Sequence, residues 1–249
     1  MTSNPKAIIM AAGKGTRMGS DLPKVLHQVC GKPMLWWVVQ ACKQAGVDKC
    51  VIVVGYQAQL VKDALADEPC CEFVTQEQQL GTGHAAMMAQ PALQGHDQAN
   101  TFVLAGDGPL IQATTLLKLL QVHTEANAVA TLATATIDDP TGYGRVIREA
   151  DGSFGFIIEQ KDASPEQLKT KEVNPSYYCF NNKHLFQSLA NINNNNSQGE
   201  YYITDVPGLL KEQGHTVAVV DAVPAQDILS VNTPQQLAQV QDILAQRIK

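Results

Sequence analysis

Charge is scarce in this chain of 249 residues. Asp, Glu, Lys and Arg together make up 17% of it, and acids outnumber bases by 24 to 18. The resulting net charge of −6 leaves no broad basic surface, so neither nucleic acid nor an anionic membrane is expected as a partner. No run approaches the ~18 consecutive apolar residues that a membrane span needs. The apolar stretch Ala7–Ala12 is too short for a secretory h-region with a cleavage site. None of the six cysteines (Cys30, Cys42, Cys50, Cys70, Cys71 and Cys179) forms a C-x-x-C pair, which speaks against a zinc knuckle or a disulfide framework. A cytoplasmic protein is therefore expected. The sequence also lacks a G-x-S-x-G elbow, an H-E-x-x-H pair and a Walker A loop, which removes three common hydrolytic or phosphate-binding chemistries.

What is present is an ordinary hydrophobic content of 45%, enough for a packed core and too much for a disordered chain. Short apolar runs alternate with helical periodicity. The spacing predicts strands over Ala7–Met10, Cys50–Val54, Phe73–Thr75, Thr101–Ala105 and Val129–Ala135, with helices between them over 33–45, 58–66, 82–92 and 114–124. Buried strands joined by helices indicate parallel βαβ units, and right-handed crossovers favour an α/β fold with a doubly wound, mostly parallel central sheet. Ligands bind such sheets beyond the carboxyl ends of the strands.

After residue 136 the rhythm changes. Gly144–Glu149, Phe154–Glu159 and Val173–Phe180 read as antiparallel strands, Asn191–Gln198 as a polar loop, 205–213 and 233–248 as helices, and 216–220 as a strand. With no long linker, a single domain is expected: a nucleotide-binding half over 1–135, a smaller antiparallel lid-like half over 136–232, and a closing helix over 233–249.

The most informative segment follows the first strand: Ala11-Ala12-Gly13-Lys14-Gly15-Thr16-Arg17-Met18-Gly19, then Pro23-Lys24. Glycines after a strand let backbone N–H groups crowd around an anion, and Arg17 and Lys24 add positive charge for a polyphosphate. A lone Gly-x-Gly is as compatible with a plain turn. Strand context and two cations favour phosphate. The dinucleotide fingerprint G-x-G-x-x-G fails because Met18 stands where its third glycine belongs.

This loop resembles the signature of the sugar-1-phosphate nucleotidyltransferases. Four further stretches extend the resemblance to the N-acetylglucosamine-1-phosphate uridylyltransferases: Gln76 through Leu80-Gly81-Thr82-Gly83-His84-Ala85, Pro140-Thr141-Gly142-Tyr143-Gly144-Arg145, Glu159-Gln160-Lys161-Asp162-Ala163, and Gly199-Glu200-Tyr201-Tyr202-Ile203-Thr204-Asp205. They occur in the same order over roughly residues 6–235. The resemblance implies a Rossmann-like nucleotidyltransferase fold, Mg²⁺ as cofactor, and UTP and a sugar 1-phosphate as partners.

It also implies roles. Arg17 and Lys24 are the expected catalytic cations, and Met10, Ala11, Ala12, Gly13, Gly15, Gln76, Gly81, Thr82, Ala105 and Gly106 the expected nucleotide contacts. Asp107 and Asn232 would supply metal oxygens. On its own, Asp107 reads equally well as a turn residue. Asn232 is not needed as a helix cap, because Thr233-Pro234-Gln235-Gln236 already supplies one. Gly144, Glu159, Asn174, Tyr202 and Thr204 match sugar-binding positions, although Tyr202 is as consistent with packing.

Two departures bear on substrate choice. An aromatic residue usual before Gly-Asp is Ala105 here, and a usual Asn-Thr-Gly is Asn174-Pro175-Ser176. Pro175 favours an extended Asn174 and removes a backbone donor. No hexapeptide repeats are present, so uridylyl transfer without acetyl transfer is expected.

Overall fold

The computed structural model describes residues 4–248. Strand β1 (Lys6–Ala11) leads into a glycine loop and a minimal hairpin, β2 (Gln28–Val29) and β3 (Lys32–Pro33). Helix α1 (Met34–Gln44), β4 (Lys49–Val54), α2 (Ala58–Ala64), β5 (Cys71–Thr75), α3 (Thr82–Met88), β6 (Asn100–Ala105), α4 (Ala113–Glu125) and β7 (Ala130–Thr136) then alternate. The remainder comprises β8 (Gly144–Arg148), β9 (Phe154–Ile158), β10 (Glu172–Asn181), α5 (Asn182–Leu189), α6 (Asp205–Glu212), β11 (Val217–Asp221) and α7 (Pro234–Arg247).

The central sheet runs β11-β7-β10-β6-β1-β4-β5, and only β10 lies antiparallel to its neighbours. Helices α1, α2 and α4 cover one face through Leu35, Val61 and Leu116; α3, α5 and α6 cover the other through Ala86, Leu185 and Val206. Both faces being apolar explains why β4 is a continuous β-branched run, with Ile52 and Val54 facing one layer and Val51 and Val53 the other. Helix α7 packs apart from these layers, placing Val240 and Leu244 against Val29 and Met34. No helix among the described residues is long and apolar enough to cross a membrane.

The mostly parallel, doubly wound sheet agrees with the periodicity, but three details differ from it. Helix α3 stops at Met88 and gives way to a short 3-10 turn, Pro91–Leu93, because Pro91 has no N–H for a continuing helix. Helix α5 was not anticipated; it begins where the Asn181 side chain accepts the His184 N–H at 3.4 Å. The antiparallel character after residue 136 is confined to β8, β9 and β10, and β11 rejoins the winding parallel to β7.

Strand β10 is the hinge of this layout. Its C-terminal part, Tyr177–Phe180, pairs on both sides with β6 and β7, while Val173 and Asn174 pair with β8. Between them the register with β7 shifts, at Pro175 and Ser176. A residue without an N–H belongs at such an interruption. The chain leaves β1 toward β4 and β5 on one side and returns to β6 on the other. The loops after Ala11 and Ala105 therefore diverge at a topological switch point.

Candidate active site

The glycine loop is shaped by two left-handed glycines, Gly15 at φ 71° and Gly19 at φ 64°, on either side of a single 3-10 turn, Thr16–Met18. A Cβ on Gly15 would stand 2.5 Å from Cβ of Lys24, so glycine there lets the lysine lie against the loop. Met18, in the place of a dinucleotide-fold glycine, is buried in the core formed with α7 and anchors the loop from behind. Pro23 starts a second 3-10 turn, Lys24–Leu26, whose Val25 and Leu26 are buried and whose Lys24 projects inward.

Four predicted residues converge there. The Lys24 ammonium forms an ion pair with Oδ2 of Asp107 and donates to Oδ1 of Asn232 at 3.0 Å. Arg17 Nη2 donates to the same Asn232 oxygen at 2.9 Å. The Asn232 side chain is free for this because Thr233 caps α7, accepting the Gln236 N–H at 3.3 Å, while the Gln236 side chain accepts the Asn232 backbone N–H at 2.8 Å. A backbone bond from Val231 N–H to the Asp107 carbonyl, 3.0 Å, ties the two segments together.

Beside this cluster opens a cleft of about 320 Å³. Met10, Ala11, Ala12, Gly13, Lys24, Gln76, Gly81, Thr82, Ala105 and Asp107 line it. Gly15 and Gly106 are not among its lining residues; the Gly106 N–H donates to the Met10 carbonyl at 2.9 Å, holding the two diverging loops together. Arg17 is exposed and reaches the cluster from outside the cleft. Buried Gln76 donates its amide to the Gly81 carbonyl at 3.1 Å and lies 3.0 Å from Nδ1 of His84. Gly81 has φ 109°, and a Cβ on it would come within 2.6 Å of the Tyr201 carbonyl. The start of α3 is laced to the 200–203 segment by Tyr201 N–H to Leu80 O at 2.8 Å, Gly83 N–H to Tyr201 O at 2.7 Å and Ile203 N–H to Thr82 Oγ1 at 3.1 Å.

The five residues matched to sugar positions do not line this cleft. Three of them assemble beside it: Thr204 donates to Oε1 of Glu159 at 3.1 Å, and a Cβ placed on Gly144 would stand 3.6 Å from both Glu159 carboxylate oxygens. Asn174, paired in register with Gly144, donates to the Tyr178 hydroxyl at 2.6 Å. Burial pushes the Glu159 carboxyl above its ordinary range, and neighbouring Asp162, Asp205 and Glu200 push the same way. The Tyr202 hydroxyl accepts from Gln198 Nε2 at 2.8 Å and donates to Asp162 at 3.4 Å, in a separate hollow of about 210 Å³ shared with Glu159 and Asn196.

Sequence reasoning gave no role to Gln79, Ser176 or Glu200, all on the cleft wall, although Ser176 belongs to the departure noted at 174–176. Gln79 reaches across to the glycine loop, donating to the Ala12 carbonyl at 2.8 Å. The resembling segments contain Gln79 and Glu200, but only the folded loops bring them to the cleft; Ser176 sits at the interruption of β10.

A family model described as the MobA-like NTP transferase domain matches residues 7–203, from β1 to the segment just before α6. The chain belongs to that family. Curated relatives named bifunctional protein GlmU are 47% identical to this MobA-like domain over 242 residues in Geobacillus thermodenitrificans and over 246 residues in Bacillus cereus strain G9842. A GlmU from Syntrophomonas wolfei is 46% identical over 241 residues. These matches cover 97–99% of the present chain but 52–53% of the relatives, so the chain spans about half their length. A solved structure of UDP-glucose pyrophosphorylase complexed with UDP-glucose has a TM-score of 0.78, covering 98% of this chain and 100% of that one. At 18% identity, that likeness shows the shared fold.

Proposed function

We propose that this MobA-like domain transfers a uridylyl group from UTP to N-acetylglucosamine 1-phosphate, giving UDP-N-acetylglucosamine and pyrophosphate. The observation that carries this reading is the meeting of Lys24, Arg17, Asp107 and Asn232 at the mouth of a cleft that also contains Gln76 and Gly81. Relatives named GlmU at 46–47% identity support it, as do the collinear motifs for the choice of uracil and N-acetylglucosamine. The 1–135 half holds the nucleotide, the 136–232 half the sugar, and the closing helix brings in Asn232. A cytoplasmic setting follows from the reading, since both substrates are phosphorylated metabolites.

The reaction has a phosphate oxygen of the sugar attack the α-phosphorus of UTP while pyrophosphate leaves. That oxygen is already ionised near neutral pH, so no general base is needed. Position and charge neutralisation carry the rate. The Gly13 loop cradles the triphosphate with backbone N–H groups. Arg17 neutralises the departing pyrophosphate, and Lys24 holds the reacting phosphates. Gln76 and the backbone at Gly81 and Thr82 read the base edge. Glu159, Thr204, Gly144, Asn174 and Tyr202 orient the sugar.

The donor set fits a hard divalent cation such as Mg²⁺. Asp107 Oδ2 and Asn232 Oδ1 converge on one point, and a positive charge, the Lys24 ammonium, already bridges them there. One carboxylate and one amide oxygen leave room for phosphates and water, as Mg²⁺ prefers. Among the described residues no group of three or more His, Cys, Asp or Glu is placed to hold a metal ion. Phosphate oxygens of the nucleotide would share such a cation with Asp107 and Asn232. When bound it would withdraw charge from the triphosphate, and Lys24, displaced from Asp107, would turn toward the phosphates.

Pyrophosphate release measured over UTP, dTTP and CTP against N-acetylglucosamine, glucosamine and glucose 1-phosphates tests the assignment. UTP with N-acetylglucosamine 1-phosphate should give the highest kcat/KM. A higher value for another pair would reassign the substrate, and binding without release in every pair would make the protein a nucleotide-sugar sensor.

A further inference from the structure

Ser176 and Glu200 are the only residues beyond position 136 on the described wall of the nucleotide cleft. Ser176 arrives there through the interruption of β10, where the pairing with β7 slips between Val173 and Tyr177. Its backbone is left-handed, at φ 64°, a region that crowds any Cβ and that glycine occupies freely. Its N–H donates to Asn174 Oδ1 at 3.2 Å, and that same amide donates onward to Tyr178 at 2.6 Å. The turn thus fixes where the Ser176 side chain stands.

Chain folding alone favours glycine at this position. A hydroxyl-bearing residue held in a disfavoured backbone region, on the wall of a binding cleft, places a donor and acceptor there at a cost in stability. The Ser176 side chain lies beside the Tyr178 hydroxyl, which also accepts from Asn174 and feels the Glu159 carboxylate, so the cleft wall and the Glu159–Thr204 group meet near this turn. We propose that Ser176 is a specificity-determining residue that contacts the hexose ring of the sugar 1-phosphate through its hydroxyl, at the junction of the nucleotide cleft and the Glu159–Thr204 group. The proposal rests on the uridylyltransferase reading above and deepens it, adding to the sugar site a residue from the strand that links the two halves.

Steady-state kinetics of Ser176→Gly and Ser176→Ala, with thermal unfolding of each, tests this. Losing one hydrogen bond in a recognition site predicts a rise of about tenfold in KM for N-acetylglucosamine 1-phosphate in both variants. KM for UTP should hold within about twofold, and Ser176→Gly should melt no lower than the parent. An unchanged sugar-phosphate KM, or a rise confined to UTP, would overturn the proposal. So would a lower melting temperature of Ser176→Gly with both KM values raised alike, since that pattern marks a structural residue. If the parent protein releases no pyrophosphate with any sugar phosphate, the uridylyltransferase reading fails and the proposal falls with it. An active parent with unaltered variants removes only the role of Ser176.

Discussion

Lys24 and Asn232, 208 positions apart in the chain, meet with Nζ 3.0 Å from Oδ1. The contact joins the loop after β1 to the turn that opens α7, and Asp107, from the loop after β6, closes the triangle through its ion pair with Lys24. Three segments distant in sequence thus contribute one side chain each to a single point. Lys24 and Asp107 are mostly shielded from water, with side chains 17% and 14% exposed, so their charges act on a ligand with less screening than at an open surface.

Replacing Lys24 by alanine should lower kcat by about 10²- to 10³-fold, the usual effect of losing a well-placed transition-state donor. Circular dichroism should still show a folded protein, because the core beneath Val25 and Leu26 is untouched. Turnover near the parent value would remove Lys24 from the chemistry.

Asn232→Ala and Asp107→Asn should each raise the Mg²⁺ concentration needed for half-maximal turnover by at least about tenfold, since each weakens one of two protein oxygen donors. A Mg²⁺ titration of initial rates reads this directly. An unshifted titration, or full activity of the parent after exhaustive chelation, would contradict the assignment.

Gly81→Ala forces a side chain into φ 109° with its Cβ 2.6 Å from the Tyr201 carbonyl, and should cost about 2–3 kcal/mol in urea unfolding. Gly13→Ala is the control. A Cβ on Gly13 meets nothing within 4 Å, and its stability should stay within about 0.5 kcal/mol of the parent. Equal stabilities for the two variants would refute the close packing of the α3 start on 200–203.

His123 is buried, with Nδ1 2.9 Å from the Thr131 hydroxyl, and burial lowers its pKa to about 4. A depressed folded-state pKa contributes stability that is full above the unfolded value of about 6.5 and is lost as pH falls toward 4. The protein should lose about 3 kcal/mol from this group across that window. Denaturant unfolding of His123→Gln should show a shallower acid slope, and an identical slope would refute the assignment.

The opposite sign holds at Glu159, whose carboxyl is raised by burial. A raised pKa means that folding favours the protonated form, so the contribution is present at low pH and is lost as pH rises through the folded-state value. Glu159→Gln should therefore be more stable than the parent at pH 7–8 and equal to it below about pH 4. The same variant should bind the sugar phosphate more weakly. A destabilised Glu159→Gln at pH 8 would mean that the carboxylate is favourably paired.

The strands of the parallel sheet were legible because burial on both faces writes itself as runs such as Cys50–Val54. The phosphate end was legible for a different reason: a glycine loop directly after a strand, with Arg17 and Lys24, is a local signal, whereas Asp107 and Asn232 were singled out by the resemblance. Helix α5 was not, because its start, Asn182-Lys183-His184, is polar and only Leu185, Phe186 and Leu189 give it an apolar side. The return of β11 beside β7 has no local signature, since its partner is chosen by what remains unpaired at the sheet edge. Gln79, Ser176 and Glu200 went without a role for a related reason. Their place on the cleft wall depends on the lacing of 80–83 to 200–203 and on the slip in β10, both set by contacts between distant segments.

The most direct test of the account is a crystal structure with UTP, Mg²⁺ and N-acetylglucosamine 1-phosphate bound. Uracil should lie against Gln76 and Gly81, with the metal between Asp107 and Asn232 and the Lys24 ammonium moved from Asp107 to the phosphates. A nucleotide bound away from the loop after β1, or a Lys24–Asp107 pair that persists beside an ordered triphosphate, would contradict it.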